Sequence, residues 1–227
     1  MRLLYTHPDF IVIDKPANLS FHGQDTRDDY QLGVVDLAAQ AFGYERLWPV
    51  HRLDTMTSGL LILATHAQAA AAFGELFAQR QLDKYYLALS NHKPKKKQGW
   101  VKGDMAPARR GAYKLMTSQN NPAITQFISA SVRPSLRLFL LKPHTGKTHQ
   151  LRVMMKSLSS AIIGDRRYQN STEAEQFDRG YLHAYALRFV WKNETIHLTN
   201  PPTEGAYFLL PETQAILKQW QAPWTLL

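Results

Sequence analysis

The chain has 227 residues, 44% of them hydrophobic, with no compositional break long enough to act as a linker, so it is read as one domain over residues 1–227. Its net charge of +9 favours a polyanionic partner such as nucleic acid, and the absence of cysteine excludes disulfides, thiolate zinc sites and cysteine nucleophiles together. No apolar run approaches the length of a membrane span and the start, MRLLYTHPDF, lacks the pattern of a signal peptide, so a soluble, cytoplasmic protein is expected.

The first clear element is the β-rich run Phe10-Ile11-Val12-Ile13, closed by Asp14-Lys15-Pro16, where the proline stops the ladder. Leu32 to Phe42 has apolar residues near helical spacing, and Gly43 supplies a stop. The segment Pro49-Val50-His51-Arg52-Leu53-Asp54-Thr55-Met56-Thr57-Ser58-Gly59 then leads into the apolar strand 59–64. Asp54, after a basic pair and ahead of four consecutive aliphatics, sits where irregular chain enters the core. An aspartate there either caps a turn or serves as a nucleophile or general base, and local composition leaves both open.

Ala67 to Gln81 reads as an amphipathic helix with Phe73, Leu76 and Phe77 on one face, and Tyr85 to Leu89 as a strand. Alternation along that strand points one of Tyr85 and Tyr86 inward and the other outward. From Asn91 to Arg110 there are seven Lys/Arg and one acid, interrupted by Pro94, Gly99, Gly103 and Pro107; a basic loop or hairpin is expected, with Lys95, Lys96 and Lys97 beside Trp100 as candidate phosphate contacts. Ile124–Ser131 and Leu136–Leu141 form a hairpin around Arg133-Pro134-Ser135. Leu151–Leu158 is helical, Tyr181–Trp191 and Thr195–Thr199 form a second hairpin around Lys192-Asn193, and a helix over about 211–220 closes the chain. Paired strands with a few interposed helices predict an α+β fold on a mostly antiparallel mixed sheet flanked by helices.

Several chemistries are absent as motifs. Thr145-Gly146-Lys147-Thr148 imitates a P-loop ending, but Leu141 stands where that motif needs glycine. Nine histidines include no His-Glu-x-x-His, so no metal site is expected, and no Gly-x-Ser-x-Gly elbow occurs. What remains is a turn delivering a helix start rich in cations, His149 and Arg152, which suits a phosphate or a carboxylate such as Asp54.

Taken together, Asp9-Phe10-Ile11-Val12-Ile13-Asp14-Lys15-Pro16-Ala17, His51 to Gly59, Lys84-Tyr85-Tyr86-Leu87-Ala88 and Thr145 to Arg152, followed by Ile163-Gly164-Asp165 and Leu182-His183-Ala184, resemble the RluA-type pseudouridine synthases nearly end to end. The resemblance implies isomerisation of uridine in structured ribosomal or transfer RNA, without metal or organic cofactor and without an obligate protein partner, by a monomer. It implies that Asp54 is the nucleophile acting on a flipped uridine, that Tyr86 stacks on uracil and assists loss of the C5 proton, and that Arg152 pairs with Asp54. Arg52 would stabilise the vacated position, Leu151 would wall the base, and Gln150 would stabilise the turn. His51 is a candidate contact to the substrate RNA, with hydrogen bonding to backbone around Asp54 as the alternative. The opening of the catalytic pattern within ten residues of Met1 predicts a form without the S4-type RNA-binding domain, which shifts RNA contacts onto residues 92–110 and onto Arg166 and Arg167. Trp191-Lys192-Asn193 replaces the family's His-Pro, a change expected to affect a surface turn. The competing class is a catalytically inactive RNA-binding protein or RNA chaperone of the same fold.

Overall fold

The computed structural model describes residues 1–25 and 30–227, and contacts divide the chain into two compact units, residues 1–82 and 83–227. The first unit contains β1 (Arg2–His7), β2 (Phe10–Lys15), β3 (Gln24–Asp25), β4 (Tyr30–Gln31), α1 (Val34–Phe42), β5 (Trp48–Pro49), β6 (Ser58–Ala64) and α2 (Ala67–Ala78). Here β2 lies between β1 and β6, antiparallel to both, and β5 also pairs with β6. Phe10 to Ile13 and Leu60 to Ala64 are buried throughout, which is why both read as continuous apolar runs rather than alternating ones. On one side α2 packs against β6, and its Phe73 meets Phe10 edge-on at 5.2 Å. The helix stops at Ala78 instead of continuing to Gln81, because Arg80 takes a left-handed backbone (φ 56°) and β7 claims Leu82.

β1 has no counterpart among the elements the sequence predicts. It is an edge strand whose first residues are exposed and whose register shifts between Leu3 and Tyr5, so its side chains carry no clean period of two.

The second unit is built on β7 (Leu82–Ser90), β8 (Gln98–Gly103), β9 (Met105–Pro107), β10 (Tyr113–Leu115), β11 (Ala123–Arg133), β12 (Leu136–Pro143), α3 (Gln150–Ser157), α4 (Ser171–Ala174), β13 (Leu182–Trp191), β14 (Glu194–Thr199) and α5 (Pro211–Gln219). The strands run in the order β13-β7-β12-β11-β8, with β14 paired to β13. The β11–β12 and β13–β14 hairpins are as the sequence predicts; Lys192 and Asn193, with φ of 45° and 70°, make an exposed turn whose backbone twist suits a hairpin. The fold is α+β; β8–β11, β11–β12, β12–β7 and β13–β14 pair antiparallel, with α3 packing against β11 and β12 and α5 against β11.

One expectation is narrowed and one corrected. Of the loop and the hairpin left open for residues 91–110, 98–103 and 105–107 are paired strands: β8 joins the sheet beside β11, and β9 pairs with β10 across the Arg109–Gly111 turn. A strand stabilised by a partner 20 to 30 residues away leaves little local signal, and its glycines mask what signal there is. Tyr85 and Tyr86 do not divide into one inward and one outward ring; they are 1% and 9% exposed, because β7 is an interior strand covered on both faces.

Candidate active site

In the first unit the sequence delivers Asp54 on a short, braced turn. After Pro49 the chain leaves its pairing with β6, and the His51 imidazole takes over as acceptor: its Nε2 receives the Ile62 N–H at 3.0 Å. That bond needs an unprotonated Nε2 and commits this ring nitrogen of His51 to the backbone of β6. Leu53 is buried, and the Thr57 N–H donates to the Asp54 carbonyl at 2.9 Å. Asp54 therefore opens a turn with its backbone oxygen, while its half-buried carboxylate is not what closes that turn. Gly59 follows with φ 104°, a conformation open to glycine at little cost, which lets the chain swing from turn into β6. Arg52 is exposed on the same segment.

Beneath this turn lies a residue to which the sequence assigned no role. Lys15 is 0% exposed, and its ammonium donates to the carbonyls of Pro16 (2.8 Å) and Thr55 (3.3 Å). The register of β2 against β6 sets Lys15 opposite Gly59, so strand pairing brings together two motifs more than 40 residues apart. A buried lysine is kept only where its donors find acceptors, and here one acceptor belongs to the residue after Asp54.

In the second unit Tyr86 lies on β7 opposite Leu141 of β12, the strand that feeds the 144–149 turn and α3. Lys84 precedes Tyr86 by two residues on the same strand face, and burial lowers its pKa below the ordinary lysine range. At the start of α3, Gln150 is fully committed to the turn: its Oε1 accepts from Thr145 Oγ1 (2.7 Å) and the Lys147 N–H (3.1 Å), and its Nε2 donates to Ile124 O and Thr125 Oγ1 (both 3.0 Å). Leu151 and Arg152 are both buried on this helix.

Arg152 is gripped by a partner the sequence did not reveal. Its Nε and Nη2 donate to the two oxygens of Asp165 at 2.7 and 2.8 Å, a bidentate pair with the carboxylate wholly buried. Asp165 also accepts the N–H groups of Arg167 (3.0 Å) and Tyr168 (3.2 Å). The guanidinium carbon stands 5.0 Å from the centre of the Tyr168 ring, whose hydroxyl receives the Tyr113 N–H (2.9 Å) and lies 3.0 Å from His149 Nδ1. Gly164, before Asp165, has φ 75°, and a Cβ there would stand 2.0 Å from the Arg179 carbonyl oxygen, so only glycine fits. Asp165 was visible in the sequence as part of Ile163-Gly164-Asp165, but nothing in that triplet names its partner.

The side chains of the basic candidates are exposed. Lys95, Lys96 and Lys97 are exposed on a connection fixed by its backbone: the Lys95 N–H donates to Leu158 O (2.9 Å), and Lys97 O accepts from Ser129 Oγ (2.6 Å). Arg166 and Arg167 are exposed, and Arg167 Nη1 reaches Gly111 O at 2.8 Å, drawing the Arg109-Arg110 turn beside it. Among the described residues no three His, Asp or Glu side chains gather as a metal cage, and no helix is long and apolar enough to cross a membrane.

The chain is similar to known proteins along most of its length. The pattern that defines RNA pseudouridylate synthases matches residues 9–157. A Haemophilus influenzae protein named as an uncharacterized RNA pseudouridine synthase is 50% identical over 211 residues, covering 93% of this chain and 92% of its own. A ribosomal large subunit pseudouridine synthase C from Rickettsia bellii is 32% identical over 187 residues, covering 80% of this chain and 61% of its own. Among solved structures, human RNA pseudouridylate synthase domain containing 4 superposes with a TM-score of 0.72 at 27% identity, covering 95% of this chain and 92% of its own.

Proposed function

Because the chain belongs to the RNA pseudouridylate synthase family, of the RluA type, we propose that it isomerises uridines in structured ribosomal or transfer RNA with Asp54 as nucleophile. The observation that supports this reading is the braced turn: Asp54 opens it with its backbone oxygen, which accepts the Thr57 N–H, and buried Lys15 ties the next residue's carbonyl, so a half-buried carboxylate is presented on a fixed backbone.

In this reading the target uridine leaves its helix and enters with its base unstacked, at a cost of a few kcal/mol that contacts to base and backbone repay. The Asp54 carboxylate attacks ribose C1′ or the uracil ring. The N1–C1′ bond breaks, the base turns, and a C5–C1′ bond forms; the C5 proton leaves and N1 gains one, so the product is an isomer and no electrons are exchanged. Tyr86 stacks on uracil and assists C5 proton removal, Leu151 walls the base, and Arg52 stabilises the position the base vacates. Arg152 serves as counter-charge to Asp54, keeping it ionised and nucleophilic in a closed pocket. Residues 1–227 act as one catalytic domain. Lys95, Lys96, Lys97, Arg166 and Arg167 contact phosphates, and the enzyme works as a cytoplasmic monomer without cofactor.

The test is tritium release from RNA labelled at uracil C5. The native protein is expected to release tritium, and Asp54→Asn to bind the same RNA and release none. A folded Asp54→Asn protein with substantial turnover would remove the nucleophile assignment. Binding without release by the native protein would leave the inactive RNA-binding class.

A further inference from the structure

Trp100 is 46% exposed on β8, the last strand in its sheet order. Alternation explains its direction: Gln98, Trp100 and Lys102 are exposed, while Val101 is half-buried. Its surroundings are polar and cationic. Lys102 Nζ stands 5.3 Å from the ring centre, the His144 ring lies 4.9 Å away and tilted by 31°, and Gln126 is its register partner on β11. An indole left this exposed and framed by polar groups is poorly suited to an apolar protein interface, and well suited to a flat ligand that carries negative charge at its edge.

We propose that Trp100, with His144 and Lys102 beside it, is a stacking platform for one unpaired base of the substrate RNA, separate from the residues assigned to the target uridine. The proposal rests on the reading of the protein as an RNA enzyme and adds to it a demand on the substrate: a second nucleotide whose face is not covered by base pairing. Lys102 and the Lys95-Lys96-Lys97 run entering the same strand supply charge for the adjoining phosphates.

The platform is rigidly joined to the arginine helix. The His144 N–H donates to Ile124 O (2.9 Å), the Ile124 N–H donates to Thr145 Oγ1 (2.9 Å), and that hydroxyl donates to Gln150 Oε1 at the start of α3. A base resting on Trp100 is thereby set in a fixed frame with Arg152, so stacking there helps fix the register of the RNA as well as its affinity.

The experiment uses the full chain and a fluorescein-labelled oligoadenylate, which contains no uridine, with a blunt RNA duplex as control. Trp100→Leu is expected to weaken oligoadenylate binding roughly tenfold or more with little change on the duplex, Trp100→Phe to recover most of it, and neither to alter the salt slope. Lys102→Ala should lower that slope by about one. Equal binding by Trp100→Leu and the native protein, or an equal loss on the duplex, overturns the platform. Tritium release is measured in parallel on structured RNA: its absence in the native protein overturns the isomerase reading, and ring-dependent oligoadenylate binding still establishes the platform.

Discussion

The ammonium of Lys15 donates to the carbonyl of Thr55, the residue that follows Asp54, from a position with no solvent exposure. The backbone that presents the Asp54 carboxylate thus rests on a charge buried in the first unit, and its placement is as sensitive to that charge as to its own turn.

Lys15→Met is expected to strip the donor from the Pro16 and Thr55 carbonyls, at about 1–3 kcal/mol of stability. Turnover should fall by more than the folded fraction does, with the loss in kcat rather than KM, because the turn slackens while the RNA-contacting surface is untouched. Urea unfolding alongside tritium-release kinetics checks this. Native kcat in a destabilised but folded variant would show that the turn holds itself.

The Arg152–Asp165 pair separates structure from catalysis. Asp165→Asn leaves a buried guanidinium without its carboxylate and should cost roughly 3–5 kcal/mol. Replacing both, as Arg152→Met with Asp165→Leu, should recover most of that stability and none of the turnover. A double-mutant cycle by denaturant unfolding reads the coupling directly. Restored activity in the double variant would mean the pair is scaffolding alone.

Changing Lys95, Lys96 and Lys97 together to alanine should leave stability within about 0.5 kcal/mol, since all three are exposed. RNA affinity should fall and its dependence on salt concentration should flatten by up to about three units of slope. An unchanged slope would return the run to ordinary solvated surface.

Stability should peak on the alkaline side and then drop. Burial lowers the Lys84 pKa, so from that lowered value up to 10.5 the unfolded chain binds more protons than the folded one, and stability rises with pH there. Burial raises the phenols of Tyr85, Tyr168, Tyr181 and Tyr185 above 10.0, with Asp83 adding to the rise at Tyr85 and Asp178 at Tyr181. Above pH 10 the unfolded chain loses phenolic protons that the folded chain retains, and stability falls. Urea midpoints followed through this range check the shape. Lys84→Met should erase the rise and leave the fall.

How much of this was legible in the sequence follows from how local each signal is. The buried strands β2 and β6, the helix α2 and both long hairpins announce themselves through apolar runs, helical spacing and turn residues within a few positions. The segment that carries Asp54 stands out because its motif is contiguous. β1, β8, β9 and β10 were not, since their stability comes from partners elsewhere in the chain, and Tyr85 could not be assigned to the core without knowing that β7 is interior. Lys15 and Asp165 stood in recognised motifs, yet their roles depend on which atoms lie within 3.3 Å, information that no spacing rule carries.

The bidentate grip on Arg152 also bears on how the protein can be dissected. The family pattern ends at residue 157, shortly after the guanidinium enters α3, whereas the carboxylate holding it arrives at residue 165 and the ring beneath it at residue 168. A fragment trimmed to the recognisable pattern would keep the cation and discard its cradle. Any minimal version of this protein has to carry the loop past residue 168, and grafting the matched span onto another scaffold would transplant Arg152 without the Asp165 carboxylate that grips it.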